Sequence, residues 1–458
     1  MIITLLSIAG ILYLALQLED KLKIPSPLGL IGLSFLFQAL TGNAFMITGD
    51  AEHFALLVLF LLPVLLISDS LELSVSDLKE HGLSLFTLAV VAVALSVIAA
   101  LLIGDTLFGE YHLSTAAIIV LFAMVLATDP VSVVSIFSKF ELPHKLKILC
   151  EGESLFNDAT ALIVFVFIGL YALGGGEITA GYVSQVSLVV VLGSAFLGVA
   201  FGYLGLLIMK TTTNRTAEMM VLLMVGYGAF EVAEHFYNLL NLFGMHSHMH
   251  LSGILSCIFA TITVNHIMMQ AVDQDDVRIE QSEDVLKGKP TSSNVIRAAI
   301  DKIKMSLEER DRHLRTKEDV QLLALVANTM LFVAMAEIID LSLLWHYKIE
   351  ILVMFLATTI IRALMMAKFA FVTHQTKKMT NINIRWWGIL TFAGIKGGLS
   401  IVMLMMIPTS FEHLEMFKAV VIGVILLSTF IYSAILIAII SKNQAAFSKE
   451  KAEEGHHH

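Results

Sequence analysis

Five ionisable side chains stand inside long apolar runs of this chain: Asp129, Glu153, Asp158, Arg362 and Lys396. Charge is costly in hydrocarbon, and a charged residue there marks a functional site by default. Glu231 and Glu234 are weaker cases of the same kind. Asp158 closes the motif Glu151-Gly152-Glu153-Ser154-Leu155-Phe156-Asn157-Asp158 and is followed by Ala159, Thr160, Ala161 and a further apolar run. Residues four apart share a helix face, so Ser154 and Asp158 line one stripe and Glu153 and Asn157 the next. A carboxylate at that depth can hold a desolvated cation through oxygen, or it can take up a proton, because desolvation favours its neutral form. It cannot stay both empty and charged, and that either/or condition is the chemistry of exchange. The bland alternative, a structural salt bridge, fits Glu153 better than Asp158. Arg362 is its natural partner, since a buried guanidinium needs an acceptor.

Asp129 precedes Pro130 in Thr128-Asp129-Pro130, and proline disfavours helix in the residue before it and lacks a donor of its own. A helix broken there leaves a half-helix N-terminus with partial positive charge, which Asp129 can neutralise. Lys396 sits among glycines in Gly394-Ile395-Lys396-Gly397-Gly398 and is expected to do the same for half-helix C-termini of its own span. A proline kink and a glycine packing patch are the structural alternatives. Paired, interrupted segments in two oppositely directed halves are the better sequence pointer to a transport site.

The elements that must carry these residues are transmembrane helices. The chain of 458 residues is 57% hydrophobic and 15% charged, with a mean hydropathy of +0.83. A helix needs roughly 20 apolar residues to cross a bilayer, and it satisfies its own backbone there. The apolar runs do not alternate, which argues against a β-barrel. An all-α polytopic membrane protein of about thirteen spans is expected on that length criterion. The approximate limits are 2–18, 24–40, 53–68, 82–103, 114–137, 148–173, 183–209, 217–236, 251–270, 321–341, 349–373, 386–408 and 415–441. The fifth and twelfth spans hold the two interrupted motifs and run in opposite directions.

Lys and Arg crowd one set of loops: Lys21, Lys23, Lys79, Lys139, Lys145, Lys147, Lys210, Arg215, the long loop 271–320, Lys377, Lys378, Arg385, Lys442, Lys449 and Lys451. The other set has Lys348 and Lys418, while Lys368 falls within a span. The positive-inside rule then places the N-terminus outside and the C-terminus in the cytoplasm. Segment 271–320 mixes both charges around Pro290 and Ser292-Ser293 and reads as a solvated connector. Ile296, Ile300, Ile303 and Leu307 also allow an amphipathic, interfacial or regulatory helix over 294–316. Cys150 and Cys257 form no C-x-x-C motif and suggest no disulfide framework. His246, His248 and His250 invite a metal or pH-sensor reading, but alternate spacing and an exposed loop favour a non-binding segment. His53, His81 and His112 stand at span ends, and the closing Gly455-His456-His457-His458 resembles a tag remnant.

Ala127-Thr128-Asp129-Pro130-Val131, the motif from Glu151 to Asp158, Arg362, and Gly394 through Ser400 together resemble the monovalent cation:proton antiporter-1 family. The resemblance runs from the third span to the thirteenth. It implies Asp158 as carrier of cation and proton with Asn157 beside it, and Thr128, Asp129 and Ser154 as further cation-site groups. It also implies a Glu153–Arg362 pair and an inverted-repeat fold with two discontinuous crossing helices. In that fold spans 1–3 (1–80) and 8–10 (214–345, including the insert) form a dimerisation domain. Spans 4–6 (81–175) and 11–13 (346–442) form the core, 176–213 is a linker helix, and 443–458 is a tail. The Asn157-Asp158 pair resembles the electroneutral branch. Two positions depart from the pattern. Lys396 stands where the family has Arg, and Ser68, with Asp69 after it, stands where a Glu often follows the third-span proline. A third departure is the longer stretch after Glu234.

The function implied is sodium/proton exchange by alternating access in the plasma membrane of a prokaryote. Such a protein is a homodimer in lipid, with no nucleic acid, no cofactor and no resident metal beyond transported Na+, Li+ or K+. A potassium/proton exchanger of the same family is the nearest alternative. An intramembrane aspartyl enzyme using Asp129 and Asp158 is another class, but it leaves Pro130 and Lys396 without a role.

Overall fold

The computed structural model describes residues 2–22, 26–41, 51–242, 251–287, 293–337, 339–375, 379–380 and 382–455. His246, His248, His250, Lys23, Lys377 and Lys378 lie outside them. Among the described residues the chain is all helix and turn. The first three helices are α1 (Ile2–Leu22), α2 (Ser26–Thr41) and α3 (Ala51–Ser70). Next come α4 (Val75–Leu107), α5 (Thr115–Leu126), α6 (Pro130–Phe137) and α7 (His144–Leu173). Then follow α8 (Ala180–Met209), α9 (Arg215–Glu234), α10 (Phe236–Leu242), α11 (Gly253–Lys287) and α12 (Ser293–Glu337). The last are α13 (Leu341–His346), α14 (Lys348–Gln375), α15 (Ile384–Phe392), α16 (Gly398–Met405) and α17 (Leu414–Glu454).

Eight helices among the described residues are long and apolar enough to cross a membrane, and shorter apolar helices accompany them. The chain is therefore a multi-pass membrane protein. Helix α5 has 12 residues, about 18 Å at 1.5 Å per residue, too short to cross alone. Like α15, it is the first half of a broken segment.

Contacts divide the chain into two compact units, Met1–Leu62, Ser76–Ser187 and Ala327–His458 forming one and Pro63–Val75 and Leu188–Val326 the other. In the second, α8 lies so close to α11 that a Cβ on Gly202 would strike Thr263. The end of α3 is capped by Asn265, whose Nδ2 donates to Leu71 O and Leu73 O at 3.1 Å each, satisfying carbonyls beyond the last turn. Glu218 is buried and accepts from Arg312 Nε (2.8 Å) and His313 Nδ1 (2.5 Å).

In segment 271–320 the helix allowed over 294–316 is present, and helix takes the place of the expected connector. Helix α11 runs on to Lys287 and α12 begins at Ser293, so helix fills most of it. The mixed charges that read as a loop pair along the helices instead: Arg278 with Asp275, Lys287 with Asp284, Lys304 with Glu308, Arg315 with Asp311. Such neighbours three and four apart support exposed helix. Ile296, Ile300 and Leu307 remain exposed.

The first unit carries the two interrupted motifs and α7. Its buried residues include nearly all of α5 and about half of α7, with Cys150 a buried free thiol. His81, read from the sequence as a span-end residue, is buried, its Nδ1 2.9 Å from Thr380 Oγ1.

Candidate functional site

Helix α5 starts on Ser114, whose hydroxyl accepts from Ala117 N–H, and stops at Ala127, which is extended (φ −55°, ψ 143°). Pro130 then opens α6 at its first position, where the missing N–H costs nothing. Asn383 caps α15 by accepting from Arg385 and Trp386 N–H at 3.0 Å each, and α15 ends at Phe392. Residues 393–397 are unwound, and α16 begins at Gly398.

The two unwound stretches meet. Asp129 N–H donates to Ile395 O at 2.7 Å. Asp129 Oδ2 accepts from Ser132 N–H (3.3 Å) and Ser132 Oγ (2.5 Å), so it caps the N-terminus of α6. The chains approach closely: a Cβ on Gly397 would lie 2.5 Å from Asp129 Cβ. Only glycine fits there. Gly397→Ala is expected to spread the crossing, lowering the melting temperature in detergent and cutting transport at least tenfold. Wild-type values for both would show that the stretches separate without consequence. The size follows from overpacking costs of about 1–3 kcal/mol.

Lys396 differs from expectation in the carbonyl that it serves. Its buried Nζ reaches Leu126 O at 3.3 Å, at the C-terminus of α5 rather than in its own span. The carbonyls of α15 go to Arg362 instead. Arg362 Nε lies 3.2 Å from Leu390 O and 3.0 Å from Thr391 O, and Nη2 lies 3.0 Å from Leu390 O. A cation thus faces the negative end of each half-helix, but one of the two comes from the other broken segment.

Helix α7 passes beside this crossing. Glu153 and Arg362 form a bidentate pair, Nη1 to Oε1 at 2.9 Å and Nη2 to Oε2 at 2.8 Å, with both residues buried. Asp158 Oδ1 accepts from Thr128 N–H at 2.9 Å. Thr128 Oγ1 lies 2.8 Å from Ser154 Oγ. Asn157 Nδ2 donates to Leu126 O (2.9 Å) and Thr128 Oγ1 (3.1 Å), which leaves its buried Oδ1 without a hydrogen-bond partner. Thr128, Ser154, Asn157 and Asp158 therefore form one cluster of hard oxygen atoms at the end of α5. Asp129 belongs to the adjoining crossing, and Glu153–Arg362 braces it from α15. Ser68 and Asp69 are part-buried and belong to the other unit. Among the described residues no group of three or more His, Cys, Asp or Glu could hold a metal ion.

Sequence reasoning missed three groups here: Ser132, the peptide between Ile395 and Lys396, and Ser428, whose Oγ accepts from Lys396 N–H at 3.1 Å. Ser132 alone carried a signal, since a hydroxyl residue three after an N-terminal Asp fits a cap.

The family model described as sodium/hydrogen exchanger, transmembrane, matches residues 3–270. The chain belongs to this family. The resemblance read from the motifs is thereby borne out, as is the all-α antiporter fold. The sodium/proton antiporter NhaG of Bacillus atrophaeus is 26% identical over 430 residues, 90% of this chain and 69% of that protein. NhaH of Halobacillus aidingensis, also a sodium/proton antiporter, is 25% identical over 421 residues, covering 91% and 89%. These alignments extend past the family match into the half that holds Arg362 and Lys396. Among solved structures, the sodium/proton antiporter MjNhaP1 of Methanocaldococcus jannaschii superposes with a TM-score of 0.68 at 16% identity, covering 94% of this chain and 98% of that one. That likeness speaks for the fold.

Proposed function

We propose that this family member is a secondary sodium/proton antiporter, a transporter and not an enzyme, in which Na+ and a proton compete for Asp158. The observation that carries the reading is the contrast between two carboxylates on α7. Glu153 has a guanidinium as its counter-ion. Asp158 has a backbone N–H and, beside it, the linked hydroxyls of Thr128 and Ser154. Oxygen ligands of this kind suit a small hard cation. The antiporter names of the relatives supply the substrate class.

The finer reading follows the same chemistry. The site residues all fall within 81–175 and 346–442, which supports treating these segments as the carrying core, with 1–80 and 214–345 as its dimeric frame. Alternating access exposes Asp158 to one side at a time, loaded with either ion. Asn157 cannot supply a second transported charge, so one proton exchanges for one cation and the cycle is electroneutral. The N-terminus lies outside by the charge distribution of the loops.

Transport by protein in proteoliposomes, read with a pH-sensitive dye and with Na+, Li+ and K+ added in turn, tests this. Competition for one carboxyl makes the proton an inhibitor of cation binding. Below the carboxyl's pKa each pH unit lowers apparent cation affinity, approaching tenfold per unit in the limit of simple competition. An imposed membrane potential should leave the rate nearly unchanged. Affinity that stays flat across the acid limb would sink the competition, and a rate that climbs steeply with voltage would sink electroneutrality.

A further inference from the structure

One peptide plane of the unwound stretch is held at both ends. Its carbonyl, Ile395 O, accepts from Asp129 N–H at 2.7 Å, and its amide, Lys396 N–H, donates to Ser428 Oγ at 3.1 Å. The C=O and N–H of a trans peptide point in opposite directions, so rotating this plane breaks both bonds together. Asp129 N–H belongs in turn to the peptide that follows Thr128, and the Thr128 amide is the donor to Asp158. The line of contact therefore runs from Ser428 through three peptide planes, the last two joined at Thr128 Cα, to the carboxylate.

Ser428 is buried and opens the π-helical turn Ser428–Tyr432 of α17. Its single hydroxyl proton goes to Ile425 O at 2.9 Å, which leaves a lone pair aimed at Lys396 N–H. Thr429, the next residue, also donates to Ile425 O, at 2.8 Å. A π-turn loosens the regular bonding of a helix and is frequent at functional sites. Here one carbonyl just before that turn, Ile425 O, takes two hydroxyls, and one of those hydroxyls reaches across to the broken segment. Thr429 makes the same bond to Ile425 O, which makes it a natural control.

We infer that Ser428 is a positioning residue for ion exchange. It fixes the plane between Ile395 and Lys396, and through it the Thr128–Asp129 backbone that presents Thr128 to Asp158. The inference rests on the exchange reading at Asp158. It does not place Ser428 on the ion.

The test compares wild type, Ser428→Ala, Ser428→Cys and Thr429→Ala in proteoliposomes across a range of Na+ concentrations. Ser428→Ala orphans a buried amide, an effect on the order of tenfold in an equilibrium. The expected result is an apparent KM for Na+ raised about tenfold, with maximal rate within about twofold of wild type. Ser428→Cys, whose sulfur accepts weakly, should fall between. Thr429→Ala should keep the wild-type KM even where its melting temperature drops, because it removes a bond of the π-turn and none to the crossing. An unchanged KM in Ser428→Ala overturns the inference, and so does an equal rise in Thr429→Ala. Should Ser428→Ala fail to fold, a wild-type KM in Ser428→Cys overturns it alone. Wild-type protein that moves no protons with Na+ overturns the exchange reading, and this inference falls with it. Wild-type flux with an unmoved Ser428→Ala removes only the inference.

Discussion

Asp158→Asn should fold, insert and carry no cation-driven proton flux. The amide has nearly the shape of the carboxyl, and its oxygen can still accept the Thr128 N–H that Asp158 Oδ1 accepts at 2.9 Å. The crossing of the broken helices is held elsewhere, by Asp129 N–H on Ile395 O and by Lys396 Nζ on Leu126 O. Thermal melting in detergent should therefore stay near the wild-type value. Transport should not survive, because an amide neither binds and releases a proton at ordinary pH nor supplies the negative charge that offsets a cation's lost hydration. Any cation-dependent dye signal near the wild-type rate from this variant in proteoliposomes would remove Asp158 from the mechanism. Ser154→Ala is the milder comparison. It deletes the hydroxyl 2.8 Å from Thr128 Oγ1 and leaves the charge, so it should weaken apparent cation affinity without abolishing exchange.

The residues of this site were legible because membranes make charge conspicuous. Asp158, Glu153 and Arg362 stand out in apolar runs, and the break at Asp129-Pro130 follows from the chemistry of proline. What could not be read was which backbone groups each charge would serve. Lys396 lies in a stretch without helix, so its side chain is free to cross to α5, while the forked guanidinium of Arg362 spans two carbonyls of α15 and a carboxylate at once. A sequence gives residue types along a line, and this choice depends on where two separate lines cross. Ser428 shows the limit more sharply. A serine in an apolar helix ordinarily bonds back to its own preceding turn, and Ser428 does so with Ile425 O. Its second bond, to Lys396 N–H, leaves no trace in the residues around it. The connector reading of segment 271–320 failed for another reason, while the helix allowed over 294–316 is present. Alternating charge supports exposed helix as readily as solvated loop, and only the spacing of pairs such as Lys304–Glu308 decides between them.

Glu153 and Arg362 should show a large coupling in a double-mutant cycle, and an unequal one in its single arms. Breaking a buried pair by removing one partner costs about 3–5 kcal/mol, because the other charge is left without compensation. The two arms differ in what else they strip away. In Glu153→Ala the guanidinium keeps Leu390 O and Thr391 O as acceptors. In Arg362→Ala the buried carboxylate loses both of its forked bonds, and the last carbonyls of α15 lose their donor as well. Arg362→Ala should therefore melt lowest of the two. Removing both residues takes away the charges but leaves the carbonyls of α15 uncapped. The double variant should then lose less stability than the two singles added together and still melt below wild type. Arg362→Lys should recover little, since one ammonium cannot span a carboxylate and two carbonyls in the geometry of the fork. Melting temperatures of the four proteins in one detergent decide the matter. Losses that simply add would mean that Glu153 and Arg362 do not hold each other in the folded membrane protein, and a Glu153→Ala arm as severe as Arg362→Ala would mean that capping α15 contributes nothing.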